Sequence, residues 1–149
     1  MNAIMINMKQ KKLEKILSEK QTIFFRKDHA ETPFRVIVYC SEKKLAVCDF
    51  VVNSCFAIYA DKSNWLFHKG DKAFRYDTDR DAPLFRLSCT RYEDILFYGI
   101  KQFSNGNPIY GWKISQLKIY LEPKRLSDFG FTRPPRNFAY VRGLQDEEK

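Results

Sequence analysis

Phe34-Arg35-Val36-Ile37-Val38-Tyr39 is an apolar run broken by a single arginine. A strand with one face in water alternates apolar and polar residues, whereas a strand covered on both faces reads as a nearly continuous apolar stretch. The run therefore predicts a central strand, and the rest of the chain must supply its neighbours. Upstream, residues 3–7 read as a short first strand. A helix follows over residues 9–19: Leu13, Ile16 and Leu17 recur at helical spacing, Lys11, Lys12 and Lys15 cover the outside, and Asn7 is the expected cap. Residues 21–27 are β-like, with Ile23 and Phe25 alternating against Thr22, Phe24 and Arg26. Residues 28–33 form a turn.

Downstream, a turn at residues 41–43 leads into residues 45–59, long enough for a bent strand or a strand pair. Residues 61–83 differ in character. Asp61, Asp71, Asp77, Asp79 and Asp81 are balanced by Lys62, Lys69, Lys72, Arg75 and Arg80, with Trp65, Phe67, Phe74 and Tyr76 interspersed. This stretch reads as an excursion holding a hairpin or a short helix, or as plain solvated surface. Thr90-Arg91-Tyr92-Glu93 is a capping box opening a helix over residues 91–98, which Gly99 ends. Tyr110, Trp112 and Ile114 alternate, and Leu117, Ile119 and Leu121 alternate in the opposite phase. The phase change implies a bulge or bend near Ser115-Gln116. Residues 124–131 cross over, residues 137–141 close the sheet, and residues 143–149 form a frayed acidic tail. Strands set between two helices, with the first and last far apart in sequence, predict an α+β fold: a small mixed β-barrel with two or three flanking helices. One domain spans residues 1–142, with residues 61–87 as an insertion.

The 149 residues carry a net charge of +8, and the isoelectric point is near 9.3. So basic a chain favours a polyanionic partner, most often nucleic acid. Cys40, Cys48, Cys55 and Cys89 form no C-x-x-C pair, and His29 and His68 are the two histidines, so no zinc site is expected. Cys48 and Cys55 sit in apolar, strand-like surroundings. Buried free thiols follow, with a reducing compartment and a cytoplasmic location. No apolar run approaches bilayer length, Met1 to Met8 is too short for a signal peptide, and no cofactor or membrane association is expected.

The stretch with most chemistry is Arg133-Pro134-Pro135-Arg136-Asn137-Phe138-Ala139-Tyr140-Val141. Two prolines stiffen the chain. Two arginines and an amide, all planar multiple donors, then stand beside two aromatic rings. Such a set can hold a phosphate or a base edge next to a stacking face.

Three blocks make the chain similar to a known family. In the first, an apolar strand, the basic Lys9 and a helix precede Glu19-Lys20-Gln21-Thr22-Ile23-Phe24-Phe25-Arg26-Lys27. Against a G-x-K-x-x-E-x-R pattern, Glu19 stands at the Gly, Gln21 at the Lys, Phe24 at the Glu and Arg26 at the Arg. Thr22 and Lys27 are also typical. In the second, Tyr39-Cys40-Ser41-Glu42 resembles a Y-x-S-x-P turn, with Glu42 at the proline. The third runs from Tyr98-Gly99 through Trp112-Lys113-Ile114 and Leu117-Lys118-Ile119 to Pro134-Pro135-Arg136-Asn137-Phe138-Ala139-Tyr140, with Arg136-Asn137 where Gln-Ser is common. From about Ile4 to Val141 the chain resembles ASCH domains, members of the PUA-like superfamily of small β-barrels associated with RNA and nucleotide derivatives. Residues 61–87 are the least comparable part.

The resemblance implies a basic cleft shared by the two chain ends. Lys9, Arg26, Lys27, Arg136 and Asn137 would converge there, with Tyr39, Ser41, Trp112, Phe138 and Tyr140 beside them, and Phe24 as a further ring. The expected partner is RNA, single-stranded nucleic acid or a nucleotide derivative, in a binding module with a regulatory role. The alternative is a nuclease or a modified-nucleoside amidohydrolase. Some family members are such enzymes, but Gln21 and Phe24 replace the motif's Lys and its Thr or Glu. His29 is then the remaining titratable candidate. A third reading gives residues 61–81 a protein partner. Each site residue also has a plainer role: Trp112, Phe138 and Tyr140 as core rings, Arg26 in a structural ion pair, and Lys11, Lys12 and Lys15 as a solvated helix face.

Overall fold

The structure, a computed structural model, describes residues 1–60, 66–68, 71–75, 87–89 and 108–142. The chain divides into two compact units. The first comprises Met1–Glu19, Ala30–Asn53 and Ile114–Lys149, and the second Lys20–His29 and Ser54–Lys113. The sequence reads as one domain. The division arises because two 16-residue strands, β4 (Leu45–Ala60) and β7 (Ile109–Lys124), each give one segment to either unit.

In the first unit the strands lie in the order β7, β4, β3, β1, β8. Strand β3 (Phe34–Cys40) is the predicted central strand, and every residue in it except Arg35 is buried. It runs parallel to β1 (Asn2–Met8), with Ile4 across from Val36 and Asn7 from Tyr39, and antiparallel to β4, with Val36 across from Phe50. A parallel pair needs a crossover between its strands, and the chain begins that crossover with helix α1 (Gln10–Leu17), which buries Leu13 and Ile16. Strand β8 (Phe138–Tyr140) pairs antiparallel with β1, Phe138 facing Ile6 and Tyr140 facing Ile4. On one face Ala3, Met5, Ile37, Tyr39, Ala46, Tyr120 and Val141 form a buried cluster, covered by Leu126, Phe129 and Phe131 from the 3-10 turn at Leu126–Phe129 and the residues after it. On the other, Ile4, Ile6, Val36, Val38 and Phe50 are fully buried.

In the second unit β2 (Ile23–Arg26) pairs antiparallel with β7, with Phe24 across from Trp112 and Phe25 from Gly111. The end of β4 pairs with β5 (Leu66–His68), which pairs with β6 (Asp71–Arg75). The excursion predicted after residue 60 thus contains a hairpin. Gly111 lies under the Phe56 ring, and a Cβ at that position would run into it.

The fold is a mixed sheet with one α-helix among the described residues, fewer than the two or three expected. The helix predicted over residues 91–98 lies outside the described residues, as does the tail at residues 143–149. Residues 45–59 form one long strand and not a strand pair. Asn7 does not cap α1, because β1 continues through Met8 and Lys9 occupies the cap position without a side-chain hydrogen bond. Gln116 takes φ 50, which places a left-handed residue where the hydrophobic phase of β7 changes. Among the described residues no helix is long and apolar enough to cross a membrane.

Candidate functional site

The expected site residues fall into both units. Lys9, Tyr39, Ser41, Arg136, Asn137, Phe138 and Tyr140 belong to the first, and Arg26, Lys27, His29 and Trp112 to the second.

In the first unit, strand register gathers the polar residues at one end of the sheet. Parallel pairing brings the C-terminal ends of β1 and β3 side by side, and the Ser41 N–H donates to the Met8 carbonyl at 3.2 Å. Lys9 therefore lies next to Ser41 in backbone terms. Strand β8 runs the other way, so the chain enters it through Arg136-Asn137 at the end where β1 leaves through Asn7-Met8-Lys9. Lys9, Arg136 and Asn137 are exposed, and Arg136 makes no ion pair among the described residues. Phe138 and Tyr140 project to the same face of β8, their ring centroids 5.8 Å apart in an edge-on arrangement. Tyr140 is 52% exposed, so its ring is open to a stacking partner. Tyr39 is buried and belongs to the core cluster, which removes it as a stacking surface.

Three features of this unit escaped the sequence reading. Asn7 is the register partner of Tyr39, and its Oδ1 is buried and accepts no hydrogen bond. An unsatisfied buried acceptor is unfavourable, by about 1–3 kcal/mol. Helix α1 is capped from a distance, since the Gln10 N–H donates to Glu42 Oε1 at 2.8 Å. Finally, Asp49 accepts from Arg35 Nη1 at 2.9 Å and from the Tyr120 hydroxyl at 2.8 Å. The signal for Asp49 was present: it is an acid inside the apolar run Ala46-Val47-Cys48-Asp49-Phe50-Val51-Val52. Burial, and then the hydrogen bond to Asp49, push the Tyr120 phenol well above its ordinary range. Burial, reinforced by the Asp49 charge, pushes the Cys48 thiol up to about 12.

In the second unit Arg26 is held by its neighbours. Its Nε donates to Asp28 Oδ1 at 3.1 Å, and its guanidinium lies 5.6 Å from the Trp112 ring centroid and 5.9 Å from that of Phe24. Trp112 is fully buried, packs edge-on with Phe24, and donates from Nε1 to the Asp28 carbonyl at 3.0 Å. Trp112 is thus a core ring here and offers no open stacking face, which corrects the expectation. Gln21 is buried and its Nε2 donates to the Ile23 carbonyl at 3.0 Å, while Phe24 is buried. The two motif positions therefore hold structure in this chain. Lys27 is exposed, and exposed His29 sits with its ring 4.3 Å from that of Tyr110. Among the described residues no group of His, Cys, Asp or Glu gathers in a way that would hold a metal.

No protein-family model matches the chain, and no curated protein matches it. Solved structures do. The chain is similar to the crystal structure of ASCH from Zymomonas mobilis, with a TM-score of 0.64 and 12% identity over 98% of this chain and 92% of that one. A tyrosine-to-phenylalanine variant of the same protein gives a TM-score of 0.62 at 12% identity, covering 98% and 94%. A serine-to-alanine variant gives 0.64 at 11%, covering 98% and 92%. At such identities the shared property is the path of the backbone: the chain has an ASCH-like fold.

Proposed function

We propose that this chain is a binding module for single-stranded RNA or a related nucleotide-bearing anion, acting through the end of the sheet where β1, β3 and β8 meet. The observation that carries this reading is Arg136, exposed and without an ion pair among the described residues, beside the Phe138–Tyr140 ring pair, of which Tyr140 is open. A guanidinium without a carboxylate partner is free to grip phosphate, and a neighbouring open ring is free to stack a base. Lys9, Ser41 and Asn137 add donors at the same end. The charge of +8 supplies long-range attraction for such a ligand. Gln21 and Phe24 carry no titratable group where enzymes of this family carry theirs, which favours binding over turnover.

The test is fluorescence anisotropy with a labelled single-stranded oligoribonucleotide at increasing salt. Affinity is expected to fall steeply as salt rises. Arg136→Ala is expected to weaken binding about tenfold and to make the salt slope shallower by about one. A flat salt response, together with an Arg136→Ala affinity equal to that of the parent, would remove this reading.

A further inference from the structure

Strand β7 carries two large apolar side chains in the open: Ile119 is 54% exposed and Leu121 102%. Tyr120, between them, turns into the buried cluster, so alternation sends Ile119 and Leu121 together to the opposite face. Lys118 and Glu122 share the Tyr120 side and are exposed as well. One edge of β7 faces β4. Along the other, the β2 ladder covers residues 110–113, and no described strand pairs beyond Lys113. An edge with no described partner strand and with exposed apolar side chains is a template for another strand.

The sequence of this edge is complementary to itself. In a two-fold antiparallel pair, facing residues share a face, so the sum of their numbers is constant and even. With Tyr120 on the dyad, Lys118 faces Glu122 and Ile119 faces Leu121, and symmetry makes each pair twice. Opposite charges and apolar pairs directly across a ladder are the favourable cross-strand combinations. Moving the dyad to Ile119 sets Lys118 against Tyr120 and loses the charge match. Moving it to Leu121 sets Lys118 against Lys124, a like-charge pair. We infer that two copies of this chain associate through β7, paired antiparallel about Tyr120. The two-fold then presents two copies of the basic end in one assembly, which raises avidity for an extended polyanion.

Sedimentation equilibrium without nucleic acid tests this independently of the binding reading. Over a concentration series from micromolar to millimolar chain, the weight-average mass is expected to climb from 17.7 kDa toward twice that value. Lys118→Glu alone and Glu122→Lys alone each place like charges across the ladder and are expected to hold the protein at the single-chain mass. The double variant Lys118→Glu/Glu122→Lys restores opposite charges and is expected to regain the doubled mass. Circular dichroism confirms that each variant is folded. A parent protein that stays at the single-chain mass throughout the series overturns the inference. So do single variants that associate like the parent, or a folded double variant that does not recover.

Discussion

At the scale of single residues, two arginines that look alike in sequence behave differently. Arg26 is tied to Asp28 and lies against Phe24 and Trp112, so its truncation removes a half-buried ion pair and a cation–π contact. Arg26→Ala is expected to lower stability by about 1–2 kcal/mol. Arg136→Ala, on an exposed residue without an ion pair among the described residues, is expected to change stability by less than about 0.5 kcal/mol while weakening the proposed RNA binding. Urea titration of both variants measures the contrast. The same logic singles out Asp49. Its loss would leave the buried Tyr120 hydroxyl without its acceptor and take a carboxylate from the partly exposed Arg35, and Asp49→Ala is expected to cost about 2–3 kcal/mol in urea unfolding. Tyr120→Phe removes the hydroxyl together with its need for a partner, and should cost about 1 kcal/mol. Asp49 was visible as an anomaly in an apolar run. Its partner 71 residues away was not, because the pattern within one strand does not say which residue of a distant strand lies against it.

At the scale of elements, helix α1 shows which parts of a pattern are readable. Its interior followed from the spacing of Leu13 and Ile16, whereas both ends depend on residues that periodicity does not reach. The N-terminus is closed by Glu42, which lies in the turn after β3 and arrives only because β1 and β3 pair in parallel. A carboxylate there satisfies an orphan N–H and opposes the helix dipole. Glu42→Ala is expected to lower stability by about 1 kcal/mol, and Glu42→Gln by less. At the other end Glu19 takes φ 61, and its N–H bonds to the Ile16 carbonyl. This is the left-handed conformation that glycine adopts most easily after a helix, and Glu19 also stands at the glycine of the ASCH pattern. Glu19→Gly is therefore expected to stabilise the protein, by about 0.5–1 kcal/mol once the added freedom of the unfolded chain is set against the relieved strain. Thermal melts of the two helix-end variants should move in opposite directions. The strands were read more fully than the helix ends because a period of two survives short segments: β1, β2, β3, β7 and β8 all lie where alternation or apolar runs put them.

At the scale of the molecule, basicity and burial act at opposite ends of the pH scale. The charge of +8 acts at long range and has little bearing on which groups unfold the chain. Alkaline stability is set instead by groups the core keeps protonated. Cys48 rises from an ordinary 9.0 to about 12, because burial and the Asp49 charge disfavour its thiolate. The Tyr120 phenol is raised for the same two reasons and by its hydrogen bond to Asp49. In the unfolded chain both groups release their protons in the ordinary range, so above pH 9 the unfolded state binds fewer protons than the folded one. A raised folded-state pKa contributes stability that is fully present below the unfolded value and declines as pH climbs toward the folded value. The window thus opens near pH 9 with the thiol and widens near pH 10 with the phenol, at a limiting slope of ~1.4 kcal/mol per pH unit for each group. Between pH 9 and 10, Cys48 alone is expected to remove about 1 kcal/mol from the urea unfolding free energy under reducing conditions. Cys48→Ala should make that part of the profile shallower without levelling it, because burial also raises the Cys55 thiol to about 11, and should lower stability at neutral pH through the vacated volume. Asp49→Asn should make the profile only slightly shallower, since it withdraws the charge that disfavours both ionised forms but leaves the burial that is the larger cause of each shift. Profiles for the parent and both variants that fall in parallel from pH 9 upward would show that groups outside this buried set control alkaline unfolding.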